Sequence, residues 1–222
     1  MGVLESFGVG IERPEHLRWR VTPGAYPARE FRVEGDHSSA SYFLAAAAVV
    51  GGRVRVEGLA PDSAQADARL GSLLDEAGCE VNTGEDWIEV RAGRRYRGFD
   101  LDMGAAPDLV PTVAVLAMFA DGPTVLRGIE HLRIKESDRL ETVASNLRRL
   151  GCEARAVDDR LEIQPDRSSY RGALVETASD HRMAMAFAVA GLVIDGVVID
   201  DPSCVSKSNA GFWNQLDSLT SF

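Results

Sequence analysis

The stretch HLRIKESDRLETV (131–143) interleaves Arg133, Lys135 and Arg139 with Glu136, Asp138 and Glu141. Two further cations are Arg182, in SDHRMAMAFAVAGL (179–192), and Lys207, in CVSKSNAGF (204–212). Two carboxylates belong to the same group: Asp108, which follows Pro107, and Glu136, beside Lys135. Ammonium and guanidinium groups hold phosphates and carboxylates, arginine by a two-pronged fork. Carboxylates kept ionised among cations accept or hand on protons. Together Lys135, Arg139, Arg182, Lys207, Asp108 and Glu136 suit proton transfer on a densely anionic molecule. Singly, each has a plainer explanation. A charge run is usually a solvated helix face, and Asp36, Asp108 and Asp180 would serve as simple helix caps. Ser38, Ser39 and Ser179 read as helix-start residues, His181 as a structural histidine, and His16 and His37 show no partner. The functional reading rests on the six converging in space.

A repeat supplies the convergence. LLDEAGCEV (73–81) recurs as NLRRLGCEA (146–154), and GGRVRVEGL (51–59), DGPTVLRGI (121–129) and DGVVIDDPS (195–203) match as a glycine followed by a β-branched strand. Asp36, Asp108 and Asp180 are equally spaced, each ahead of an apolar helix. Each repeat of roughly 70 residues reads strand, buried helix, strand, amphipathic helix, hairpin, or βαβαββ. The first strands are expected around Phe31 and Val33, and around Phe99, Leu101 and Met103. The amphipathic stripes are Leu70, Leu73, Leu74, Ala77 and Leu140, Val143, Ala144, Leu147, Leu150, spaced for one helix face. Gly78 and Gly151 stand where a helix end favours a left-handed residue. Hairpin turns fall at 84–86 and at Asp158-Asp159. The third repeat has its second helix, with Phe212, Trp213, Leu216 and Leu219 inward, and no closing hairpin. VLESFGVGI (3–11) matches the tail of a repeat, Gly8 over Gly78, so the chain is expected to be part of a longer protein. If the three repeats pack about a pseudo-threefold axis, their helix N-termini gather on one face, which favours anions. Lys135, Arg139, Arg182 and Lys207 belong to that face.

Composition narrows the rest. The 222 residues are 45% hydrophobic and carry a formal net charge of −10, enough for a sizeable core. That charge argues against nucleic acid as a partner while leaving a local cationic site free to hold small anions. Cys79, Cys152 and Cys204 form no CxxC pair. With no signal-peptide pattern, this points to a reduced, cytoplasmic protein without a disulfide frame or zinc site. The apolar runs near 42–50, 112–120 and 183–194 fall short of the roughly 18–20 residues of a membrane span.

KESDRL (135–140), SDHRMAMAFAVAGL and EGDHSSASYFLAAAAVV (34–50) together resemble the EPSP synthase family, and the likeness extends over nearly the whole chain. The resemblance implies an α/β (α+β) fold of two lobes, each of three βαβαββ repeats, an inside-out α/β barrel arrangement. Residues 1–34 would be the tail of the N-terminal lobe and the crossover, and residues 35–222 the C-terminal lobe. The implied reaction moves the enolpyruvyl group of phosphoenolpyruvate to the 5-hydroxyl of shikimate 3-phosphate and releases phosphate. Carried over, Asp108 is the base at that hydroxyl and also holds shikimate 3-phosphate. Lys135 contacts shikimate 3-phosphate and the reacting oxygens, and Glu136 handles the proton at the methylene. Arg139, Arg182 and Lys207 hold phosphoenolpyruvate. No metal or organic cofactor is implied.

Two features depart from the family. His131 stands where many members have asparagine, so it receives only a weak binding role. The N-terminal lobe's Lys-Ser, Asn-Ala-Gly and Ser-Ser-Gln motifs match nothing here, leaving about half an active site that should be inactive alone. The missing lobe is then a partner, and the open third repeat invites self-association. The rival readings are a UDP-N-acetylglucosamine enolpyruvyl transferase and a non-catalytic anion-binding remnant of the fold. The first lacks the DHRMAM pattern; the second is opposed by the intact charged set.

Overall fold

The computed structural model describes residues 2–93, 95–135 and 137–220. The chain divides into two compact units, Met1–Glu34 and Gly35–Phe222. In the first, helix α1 (Gly2–Ser6) leads through Gly8, at φ 71°, to an antiparallel hairpin of β1 (Ile11–Glu15) and β2 (Arg18–Val21). Helix, left-handed glycine and hairpin are the order expected for a repeat's tail. Residues 22–36 carry no strand, so the strand expected around Phe31 and Val33 is not formed. The physical reason is local. Phe31 packs its ring on Phe7, 5.3 Å between centroids, while Val33 is 80% exposed, so neither contributes an alternating buried face.

The second unit holds the repeats in sequence. The first comprises α2 (His37–Val50), β3 (Arg53–Glu57), α3 (Leu70–Ala77), β4 (Glu80–Thr83) and β5 (Trp87–Arg91). The second comprises β6 (Asp100–Asp102), α4 (Val110–Met118), β7 (Thr124–Arg127), α5 (Arg139–Arg149), β8 (Glu153–Val157) and β9 (Arg160–Gln164). The third comprises β10 (Leu174–Val175), α6 (His181–Gly191), β11 (Val198–Ile199) and α7 (Phe212–Thr220). Among the described residues only the second repeat has all of its strands: β6 runs parallel to β7, which pairs antiparallel with β9 of the β8–β9 hairpin. The first has the order β3-β5-β4, the third the parallel pair β10-β11. The strands form separate sheets rather than a closed barrel.

Helices α2, α4 and α6 are apolar nearly all round because each packs against the other two. Every residue of α4 is buried. The amphipathic stripe of α5 is likewise interior, with Leu140, Val143, Ala144 and Leu147 at 0% exposure. The hairpins form as expected, with Asp158 at φ 50° in the second turn. Gly78 and Gly151 are left-handed, at φ 107° and 89°. No helix among the described residues is long and apolar enough to cross a membrane.

Candidate active site

The three equally spaced aspartates begin alike and end differently. Asp36 caps α2, accepting from the Ser38 and Ser39 amides. Asp180 caps α6, accepting from the Arg182 amide at 2.9 Å. Asp108 caps nothing. It lies in a 3-10 turn, Pro107–Leu109, one step ahead of α4, and its carboxylate points at arginine side chains instead.

Those arginines come from two other elements. Arg139, the first residue of α5, gives its Nε to Asp180 Oδ2 and its Nη1 to Asp108 Oδ1, both at 2.8 Å. Arg182, in the first turn of α6, places Nη2 2.9 Å from Asp108 Oδ2. A continuous chain of charge results: Asp180, Arg139, Asp108, Arg182. Its Asp180 and Arg139 end is buried, with side-chain exposures of 0% and 1%, while Asp108 and Arg182 are partly exposed at 32% and 16%. Arginine suits the buried link because its fork satisfies two carboxylates at once. A buried guanidinium with a single carboxylate would carry a large desolvation cost. Tyr42 of α2 is buried within electrostatic reach of Arg182, Asp180 and Arg139, and burial pushes its hydroxyl well above the usual phenol range.

The loop that presents Asp180 is fixed from both sides. Asn146 of α5 donates Nδ2–H to the Glu176 carbonyl and accepts the Glu176 amide on Oδ1. The Thr177 amide donates to Asp200 Oδ1 at 2.9 Å. Between these anchors and the cap, Ala178 and Ser179 both adopt left-handed backbone, φ 51° and 59°. Such a conformation costs a side-chain-bearing residue on the order of 1 kcal/mol. The surrounding bonds hold it in place.

A second buried carboxylate adjoins this chain. Asp67, in the 3-10 turn ahead of α3, is 7% exposed and accepts from the Ser38 hydroxyl. Burial raises its pKa, against the opposing pull of the Ser38 bond and of Arg182.

Sequence reasoning placed Asp108, Arg139 and Arg182 together, and the structure joins them directly. It does not leave four open cations on a face, however, because Arg139 is interior and paired with Asp108 and Asp180. Helix α5 starts at Arg139, capped by Asp138, and Lys135 precedes it in the loop after a 3-10 segment, Glu130–Ile134. Lys135 is exposed, and neither it nor half-buried His131 makes a hydrogen bond or ion pair to a described residue. Lys207 is exposed at the end of the 3-10 segment Pro202–Lys207. Glu136 lies outside the described residues.

Four residues were missed: Asp180 as an ion-pair partner, Asn146, Tyr42 and Asp67. Asp67 carried a signal, since it sits three and seven residues ahead of Leu70 and Leu74, on the buried stripe. His37, which had no evident partner, donates its amide to Gln65 Oε1 at 2.9 Å and sets its ring 3.1 Å from the Ala60 carbonyl.

Comparison with known proteins agrees with this architecture. A chain of 3-phosphoshikimate 1-carboxyvinyltransferase from Methanoculleus marisnigri is 46% identical over 215 residues, 96% of this chain and 50% of its own length. The protein of the same name from Nostoc punctiforme is 43% identical over 215 residues, with the same coverage. Among solved structures, EPSP synthase from Acinetobacter baumannii superposes with a TM-score of 0.82 at 25% identity, covering 97% of this chain and 52% of that one. The chain thus spans about half the length of the curated relatives it matches. The family model for EPSP synthase (3-phosphoshikimate 1-carboxyvinyltransferase) matches residues 1–216, and with that match over nearly its whole length the chain belongs to the EPSP synthase family.

Proposed function

We propose that this chain is the C-terminal half of a cytoplasmic transferase that moves the carboxyvinyl group of phosphoenolpyruvate to the 5-hydroxyl of shikimate 3-phosphate. Residues 1–34 then form the end of an N-terminal lobe and the crossover, and residues 35–222 the second lobe. In the reaction a proton adds to the phosphoenolpyruvate methylene, and the hydroxyl oxygen, losing its proton, bonds to the neighbouring carbon. Loss of phosphate and of a methyl proton then restores the double bond. Asp108 accepts the hydroxyl proton, Glu136 serves the methylene, and Lys135 contacts the reacting oxygens and shikimate 3-phosphate. Arg139, Arg182 and Lys207 hold phosphoenolpyruvate, with His131 at the margin. The observation that carries the reading is Asp108 bridging two arginines at the start of one buried helix, with no capping duty of its own. A carboxylate so placed is available for proton transfer beside groups that bind anions.

The test is phosphate release from phosphoenolpyruvate in the presence of shikimate 3-phosphate. The chain alone should show no turnover, and addition of a separately made N-terminal lobe should restore some. Within a full-length protein, Asp108→Ala and Glu136→Ala should each lower turnover by roughly 10²–10⁴. Arg182→Ala should act mainly on phosphoenolpyruvate affinity. Near-normal turnover in Asp108→Ala would overturn the assignment of the base.

A further inference from the structure

We propose that Asp108 is an internal competitor for the anion site, so that an incoming phosphate or carboxylate displaces its side chain from Arg139 and Arg182 and in doing so releases it to act as a base. The inference rests on the preceding reading only in taking those arginines as the anion site.

Three observations carry it. First, Asp108 presents one oxygen to each arginine, 2.8 Å from Arg139 Nη1 and 2.9 Å from Arg182 Nη2. That is the disposition a ligand's phosphate or carboxylate would take between two guanidinium groups. Second, the exposures order the groups. Arg139 is 1% exposed and Asp108 32%, so an anion reaches the Arg139 fork only by moving Asp108 aside. Third, Asp108 can move where its counterparts cannot. Asp36 and Asp180 are each held by helix-cap bonds, and Asp180 also holds Arg139 Nε. Among the described residues Asp108 is held by the two arginines alone.

The exchange has a chemical consequence. While Asp108 holds both arginines, each of its carboxylate oxygens is engaged by a guanidinium group. An anion that takes over the cations frees those oxygens to accept a hydrogen bond, and then a proton, from a hydroxyl. Asp180 keeps Arg139 in place throughout, so the deep arginine does not follow the departing carboxylate.

The experiment measures binding of inorganic phosphate to this chain by calorimetry, comparing wild type with Asp108→Asn and with Asp67→Asn. Asp67→Asn removes a neighbouring carboxylate that does not bridge the arginines. Competition predicts that Asp108→Asn binds phosphate about tenfold more tightly, or about 1.4 kcal/mol, while Asp67→Asn changes affinity much less. A measurement on the wild type stands beside it should a variant fail to fold. The Asp108 carboxyl ¹³C resonance should shift as phosphate is added, and that of Asp180 should not. If wild type binds phosphate but Asp108→Asn binds equally or more weakly, or the Asp108 resonance stays fixed, competition is wrong and the anion site stands. If neither protein binds at about 10 mM, both readings fall.

Discussion

Asp67 shows how a single buried side chain can set a pH response. Its carboxyl is held above the ordinary range by burial, so the folded chain binds that proton more tightly than the unfolded chain does. The stability it contributes is therefore full at low pH and is lost as pH rises through its folded pKa. Asp67→Asn keeps an acceptor for the Ser38 hydroxyl and removes the titration. Urea unfolding from about pH 4 to pH 7 should show the variant gaining on the wild type as pH rises; parallel curves would refute the assignment. At this scale the sequence revealed which charged residues gather and not how they pair. Asp108, Arg139 and Arg182 could be named because a repeat aligns their helix starts. That Arg139 turns inward to Asp180 depends on a loop whose left-handed Ala178 and Ser179 have no sequence signature, unlike a glycine.

Among the elements, the apolar helices and hairpins were legible because their periods are strong, and the glycine stops because only glycine sits there without strain. The strand around Phe31 and Val33 was not, since two alternating residues specify no partner. The two helix-ending glycines look equivalent in sequence and are not equivalent in space. A Cβ at Gly78 would meet nothing within 4 Å, whereas one at Gly151 would fall 2.1 Å from the Ser169 carbonyl oxygen. Gly78→Ala should thus cost about 1 kcal/mol, the left-handed penalty alone. Gly151→Ala should cost several times more, because backbone must shift as well. Thermal or urea melts of the two variants compare them directly, and equal losses would show that the Ser169 segment yields freely.

For the molecule as a whole, the buried thiols give a reading of cooperative opening. Burial pushes Cys79 and Cys152 up to about 11, and Cys204, half-buried, also upward. Thiolate is then scarce at neutral pH and access is closed. Iodoacetamide should label Cys79 and Cys152 only as fast as the core opens, with Cys204 first, as followed by intact mass. Rapid native labelling of Cys152 would mean that the β8–β9 hairpin opens independently of the core. The chain of four charges has a different consequence, for ancestry. Its members come from the turn before α4, from α5 and from α6, so it is stitched across the second and third repeats. The order of helices in the repeats corresponds, yet their charges do not. A gene rearrangement that duplicated or swapped a single repeat would preserve the shape of each piece and strand a buried guanidinium or carboxylate at the junction. Such chimaeras should assemble poorly unless the second and third repeats travel together, which makes that pair, rather than the single repeat, the smallest unit that recombination can inherit intact.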